Sequence, residues 1–194
     1  MATLRTDRLR LIPLTRRMIE ARLGGEGAFE REYRLDETPV RVTFPAEWPG
    51  EAIAMFPGAL RRLGSTATEV EGSFVAVTAD GHTAIGQLGT KGEWDETGAQ
   101  EIGYGFIPDS WGQGFATEAV AALTRHLLQI EAVRAVAADT AVGNLASQRV
   151  LEKTGFERTG TGWSAEDGAL IRWRLERSTL DDSARGGHAA SPRG

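Results

Sequence analysis

Residues 102–130 read IGYGFIPDSWGQGFATEAVAALTRHLLQI, and this stretch decides the fold. Up to Ile107 it describes an amphipathic strand, which Pro108, Asp109 and Ser110 end. Gly112 and Gly114 let the backbone turn where a Cβ would obstruct it. From Ala116 apolar residues recur at helical spacing, so that Ala116, Ala119, Val120, Leu123, Leu127 and Ile130 share one face. A helix that begins near Phe115 leaves its first N–H groups without intrahelical acceptors, and its aligned peptide dipoles place roughly half a positive charge there. Phosphate oxygens are natural partners for such an end. A Gly-x-Gly turn also serves as plain connection between a strand and a helix, so the neighbours have to decide. Lys and Arg are absent from Gly105 to Thr124, which leaves any phosphate to backbone amides and suits a pyrophosphate gripped along its length.

Working outward, Arg8 to Leu14 alternates polar and apolar residues before Pro13, the mark of a half-buried strand near a sheet edge. Thr15 caps a helix from Arg16 to about Leu23 that stops at Gly24-Gly25. Glu26 to Pro49 gives mixed signals, and a broken helix is expected from Glu51 to Leu63, interrupted at Pro57. Ser73–Ala79 and Thr83 to about Thr90 read as paired strands joined at Asp80-Gly81, a hairpin signal that demands positive φ. After a polar loop, Gln100–Ile107 completes an antiparallel meander, and its internal Gly103 and Gly105 predict a bulge or the close approach of a ligand backbone. Arg134–Thr140 is a short strand whose helical crossover makes it parallel to the preceding one. Asn144 opens a helix over Leu145–Thr154 closed by Gly155 in the left-handed region, and two final strands flank a loop at Ser164–Gly168. The fold class is therefore α/β, a mixed sheet that changes from antiparallel to parallel beside the glycine turn, with helices on its faces.

At 194 residues the chain fits one domain, expected over 1–177, large enough to bury about 70% of its unfolded surface. From Ser178 the sequence is small, polar and Gly-rich with a single Leu, and 178–194 is expected to be a disordered tail. No cysteine occurs, which removes disulfides, thiolate metal sites and cysteine nucleophiles. His82, His126 and His188 lie too far apart for a metal site. The formal net charge of −5 argues against nucleic acid as a partner. The amino end has no apolar run of signal or membrane-span length, so a cytoplasmic protein with no membrane association is expected.

With these pieces in place the chain resembles the GCN5-related N-acetyltransferases, closest to the RimJ/RimL branch. The matching residues are Thr6-Asp7-Arg8-Leu9 with Leu11, Glu101-Ile102-Gly103-Tyr104, Trp111-Gly112-Gln113-Gly114-Phe115-Ala116-Thr117-Glu118-Ala119, and Asn144 with Ser147, Leu151, Gly155 and Phe156. The resemblance implies acetyl-CoA as co-substrate, with the pantetheine arm paired to the strand end at Phe106 and Ile107. It places the pyrophosphate on the turn from Trp111 through Gly112, Gln113, Gly114, Phe115, Ala116 and Thr117. Where the broader family carries Gln or Arg this chain has Trp111, which is familiar in the RimJ/RimL branch and adds no side-chain cation. The resemblance further implies an amine acceptor, protein amino terminus or small molecule, attacked directly in a ternary complex, with no metal; a homodimer is also expected from it.

At pH 7 only about one α-amino group in ten, and one lysine in a few thousand, is neutral, so a base or water relay is useful. Glu101 is the first candidate, sharing a strand face with Gly103 and Gly105; a solvated strand carboxylate is the competing account. Many relatives place a tyrosine on the last helix to meet the departing thiol, but that position here is Leu151. Ser147 stands where the RimJ/RimL branch carries a serine proposed for that contact, and it is also an ordinary first-turn polar residue. Asn144 serves as helix N-cap, and the resemblance adds a contact to the cofactor arm. Glu118 is accounted for by the helix dipole, although it would repel a phosphate. Phe44, Trp48, Met55, Phe56 and Tyr104 are candidates for an acceptor pocket, with core packing as the alternative. The acidic segments 30–37 and 93–96 could draw a cationic amine or be merely solvated.

Two other functions remain to be weighed. A dinucleotide-binding enzyme is disfavoured because Thr117 stands where a third glycine belongs, and because the leading strand is not a buried apolar run. A catalytically silent CoA-binding sensor or interaction domain is kept open by Leu151.

Overall fold

The computed structural model describes residues 2–25, 27–35, 38–64 and 66–179. Up to Lys91, together with Ile102–Leu123, these form one compact unit; Gly92–Glu101 with Thr124 onward form a second.

In the first unit, strands β1 (Leu4–Arg5) and β2 (Leu9–Thr15) are followed by helix α1 (Arg16–Leu23) and the hairpin β3 (Phe29–Leu35) and β4 (Thr38–Phe44). A 3₁₀ turn (Gly50–Met55), helix α2 (Phe56–Arg62), β5 (Glu69–Thr78) and β6 (Ala84–Thr90) come next, and then β7 (Ala99–Phe106) and α3 (Phe115–Leu128), both of which run across the boundary between the units. The strand order β1-β2-β5-β6-β7 is antiparallel throughout. Thr15 accepts from the Met18 amide at 3.3 Å, and Gly25 turns the chain out of α1 at φ +81°. Pro13 sits where β2 has no β1 partner, since the two-residue β1 reaches only Leu11 and Arg10, so the missing N–H costs the sheet no bond on that side. The broken helix expected here is a 3₁₀ turn to Met55 followed by α2 from Phe56, with Pro57 in the first turn of α2, where a proline lacks only an N–H that has no helical acceptor anyway.

Three expectations change here. The β3–β4 hairpin occupies a region read as mixed: Phe29 stands opposite Phe44 and Tyr33 opposite Val40, but Val42 faces Arg31 and Leu35 faces Thr38, and Pro39 and the density of acids obscured the period of two. In the β5–β6 turn the residue with positive φ is His82 at +47°, not Gly81. The register of β6 against β7 runs unbroken from Thr90 opposite Ile102 to Gly86 opposite Phe106, so the glycines of β7 mark no bulge. They admit the protein's own 3₁₀ turn, since a Cβ on Gly105 would lie 2.6 Å from Ala52 N, and one on Gly103 3.3 Å from Met55 Sδ.

In the second unit β7 pairs in parallel with β8 (Ala135–Ala141) through Ala99–Glu101, as the crossover required. Helix α4 (Leu145–Lys153) then leads to β9 (Glu157–Ser164) and β10 (Gly168–Glu176), in the order β7-β8-β10-β9. Val136, Leu151, Phe156, Trp173 and Leu175 form its core, where Trp173 Nε1 donates to Thr140 Oγ1 at 2.9 Å. Gly155 ends α4 at φ +87°. Of the face foreseen on α3, Ala119, Val120, Leu123 and Leu127 are buried, whereas Ile130 lies past the helix end and is exposed. All but Ser178 and Thr179 of the expected tail lies outside the described residues. No described helix is long and apolar enough to cross a membrane.

Candidate active site

The strand-to-helix turn is built from the residues upward. Ser110 Oγ donates to Ile107 O at 2.7 Å and Trp111 Nε1 to Phe106 O at 2.8 Å, fastening the start of the turn to the end of β7. Gln113 Nε2 donates to Asp109 O at 2.8 Å. Gly112 and Gly114 stand at φ +73° and +82°, conformations that cost an L-residue about 1–2 kcal/mol. A Cβ on Gly112 would meet nothing within 4 Å, so the turn opens outward there. The first helical bond of α3 is Glu118 N to Gly114 O at 3.1 Å; among the described residues no acceptor takes the amides of Gly112 to Thr117. These donors together with the helix dipole fit a pyrophosphate. Burial of Val120, Leu123 and Leu127 contributes about 1.5–3 kcal/mol each, more than the roughly 1 kcal/mol that a cap would add, so α3 persists with its first amides unused.

Arg8 is the residue that sequence reasoning missed. Its guanidinium Nη1 donates to Gln113 O at 2.9 Å, its Nε and Nη2 reach Glu118 Oε2 at 2.7 Å, and it lies 4.5 Å from the centre of the Phe115 ring. Its own N–H donates to Glu118 Oε1 at 2.9 Å, and the Thr6 hydroxyl donates to the same oxygen at 2.5 Å. Partial burial would push the Glu118 carboxyl up, but the Thr6 and Arg8 hydrogen bonds and the Arg8 charge outweigh it and hold the pKa below the usual range. Glu118 is thus clasped, which supplements the dipole account. The only signal was the Thr6-Asp7-Arg8-Leu9 block itself, since no local reading links Arg8 to a turn more than a hundred residues away.

A cleft of about 430 Å³ runs beside the turn, with Thr78, Ile85, Ile107, Gln113 and Phe115 in its lining. Glu47, Asp80 and Asp109 also line it, and three carboxylates make this cleft itself a poor match for a phosphate.

Of the other candidates, Phe106 and Ile107 are buried at 7% and 5% exposure, and Trp111 presents 60% of its surface. Phe44, Trp48 and Phe56 lie in the core, not at an open surface: Phe44 stacks on Phe29 at 4.7 Å, Trp48 meets Phe44 at 4.9 Å and Phe56 at 5.5 Å, and Trp48 Nε1 donates to Gly86 O at 3.1 Å. Tyr104 is half-buried opposite Leu88. In the second unit Glu101 is half-buried opposite Ala137 of β8. Asn144 Oδ1 accepts the Ser147 amide at 3.0 Å, so Asn144 is the N-cap of α4 and Ser147 its half-buried third residue. Among the described residues no group of three His, Cys, Asp or Glu side chains is placed to hold a metal.

A sheet that is antiparallel from β1 to β7 and parallel from β7 to β8, with a glycine turn between β7 and α3, is the arrangement of an acyl-CoA-type transferase fold. The acetyltransferase (GNAT) domain profile matches residues 26–157, and the chain belongs to that family: it is an acetyl-CoA-dependent acetyltransferase by class. It is 29% identical over 160 residues to the uncharacterized N-acetyltransferase YjdG of Bacillus subtilis (strain 168), covering 80% of this chain and 90% of that one. Among solved structures it is similar to RimL, a ribosomal L7/L12 alpha-N-protein acetyltransferase in complex with coenzyme A, at TM-score 0.60 and 15% identity over 90% of this chain and 98% of the other. A spermidine N-acetyltransferase SpeG chimera from Vibrio cholerae and hSSAT matches equally at TM-score 0.60, with 17% identity over 90% and 98% of the two chains.

Proposed function

We propose that this protein transfers the acetyl group of acetyl-CoA to a primary amine, a protein α-amine or a small molecule, as a member of the RimJ/RimL branch. The observation that carries the reading is the unspent row of amides from Gly112 to Thr117, set directly after β7 by two glycines. The branch assignment draws on Trp111 and on the Thr6–Leu9 block. RimL and the spermidine enzyme share this fold with different acceptors, so the fold leaves the acceptor as a choice within the amine class.

The co-substrate brings an activated acetyl thioester. Of this chain's own residues, the turn amides orient the diphosphate, and the buried end of β7 at Phe106 and Ile107 supports the pantetheine arm. Glu101 takes a proton from the acceptor's ammonium, directly or through water, leaving the neutral amine whose lone pair attacks the thioester carbonyl. The Ser147 hydroxyl donates to the departing thiolate, and Asn144 holds the turn of α4 on which Ser147 stands.

Calorimetric titration with acetyl-CoA, beside NAD and ATP as controls, tests the cofactor assignment before any acceptor is known. Micromolar binding of acetyl-CoA alone is expected, and a panel of peptide α-amines, aminoglycosides and polyamines read by thiol release should then show turnover. Binding without turnover of any amine would favour a CoA sensor. No binding would remove the pyrophosphate assignment.

A further inference from the structure

We infer that Arg8 is the positioning residue of the cofactor turn, holding the Gln113–Gly114 peptide so that its amide faces the diphosphate. The inference rests on the cofactor reading above. Trp48–Pro49 is the only cis peptide bond among the described residues, so the Gln113–Gly114 bond is trans and its N–H points opposite to its C=O. Arg8 Nη1 grips that C=O at 2.9 Å, which turns the N–H of Gly114 away from the guanidinium. Without the grip, Gly114 has no side chain to limit its rotation, and the same peptide could present its carbonyl oxygen to the phosphate.

Arg8 can serve because it is itself held. The guanidinium has a planar fork, and two of its nitrogens take Glu118 Oε2 while the third takes Gln113 O. The Phe115 ring covers one of its faces at 4.5 Å. Glu118 is locked in turn by Thr6 and by the Arg8 amide. Arg8 also offsets the Glu118 charge, which at the first turn of α3 would otherwise oppose a bound diphosphate. The side chain of Arg8 is 48% exposed against 19% for Glu118, so the guanidinium reaches the turn from the solvent side.

The test compares CoA with pantetheine, which lacks the diphosphate and the nucleotide, on the full chain with Arg8→Met. Calorimetry with CoA should show an affinity about tenfold weaker than wild type, as expected on losing a charge-assisted hydrogen bond. Pantetheine at millimolar concentration, followed by NMR, should bind within about twofold of wild type, because no contact of Arg8 concerns the thiol arm. Equal losses for both ligands would reveal a general structural role and overturn the inference, as would CoA affinity unchanged. Circular dichroism and thermal unfolding report whether Arg8→Met folds. If it does not, Arg8→Lys decides, since an ammonium keeps the charge but lacks the planar fork whose separate nitrogens reach Gln113 O and Glu118 Oε2. CoA affinity about threefold weaker with pantetheine unchanged supports the inference, and wild-type affinity for CoA overturns it. Wild-type protein that binds no CoA removes the cofactor reading and this inference with it. That failure is distinct from wild type binding CoA while the variants match it.

Discussion

Helices α3 and α4 both follow a strand, yet they begin in opposite ways. At α4 the chain spends its own side chain: Asn144 Oδ1 takes the amide of Ser147 at 3.0 Å, and Gln148 N bonds Asn144 O at 3.2 Å. At α3 no described side chain takes the amides of Phe115, Ala116 or Thr117, and the first-turn carboxylate, Glu118, faces Thr6 and Arg8 instead. The dipole is the same in kind at both ends, so it does not by itself mark a binding site. What differs is whether the protein has already used the donors.

The largest effect should come from Gly114→Ala. Its Cβ would be 3.5 Å from Arg8 Nη2, an ordinary contact, so the cost lies in the φ of +82°. Either the backbone stays and is strained or it moves and the amides lose their aim, and calorimetry should find CoA affinity reduced about tenfold or more. Wild-type affinity in this variant would erase the contrast between the two helix starts. Asn144→Ala should instead act on stability, lowering it by about 1 kcal/mol and the melting temperature by about 2–4 °C. Asn144→Asp keeps the cap; if CoA binding falls in this variant while its melting temperature holds, Asn144 touches the cofactor as well. Trp111→Phe removes the 2.8 Å bond to Phe106 O while its largely exposed ring gives up little packing, and a CoA affinity about threefold weaker is expected.

The smallest effect concerns acid. The Glu118 carboxyl is held below its usual range by Thr6 and Arg8 against the upward push of burial. A group whose folded pKa is depressed stabilises the fold above its unfolded value, and that contribution is lost as pH falls through the lower folded value. Urea melts taken from pH 6 down to pH 3 should therefore show a shallower fall in stability for Glu118→Gln than for wild type. Identical slopes would mean that the clasp does not form in solution.

Most of the fold was legible because its signals are local. The Thr15 cap, the Gly155 stop, the glycine turn and the period of α3 each declare themselves within a few residues, and the crossover rule supplied the parallel pairing of β7 with β8. Local reading failed where the decisive partner is distant. Nothing near Gly105 says that Ala52 will lie against it, so a gap filled by the protein itself was read as a bulge or a place for a ligand. Phe44, Trp48 and Phe56 look alike in sequence whether they line a pocket or a core, and only their mutual stacking separates the two. The absence of Lys and Arg from Gly105 to Thr124 pointed to a turn without a side-chain cation, and it concealed the one that Arg8 brings there from outside the segment.

The bond from Arg8 to Gln113 spans 105 positions of the chain. During synthesis Arg8 leaves the ribosome long before Gln113 has been made, so the turn cannot be set until more than half of the protein exists. A protein started ten residues late would carry every glycine of the turn and still lack the hand that sets it. One hold on this mid-chain turn is thus written at the start of the gene, and a truncation or fusion at the amino end is a change to the turn.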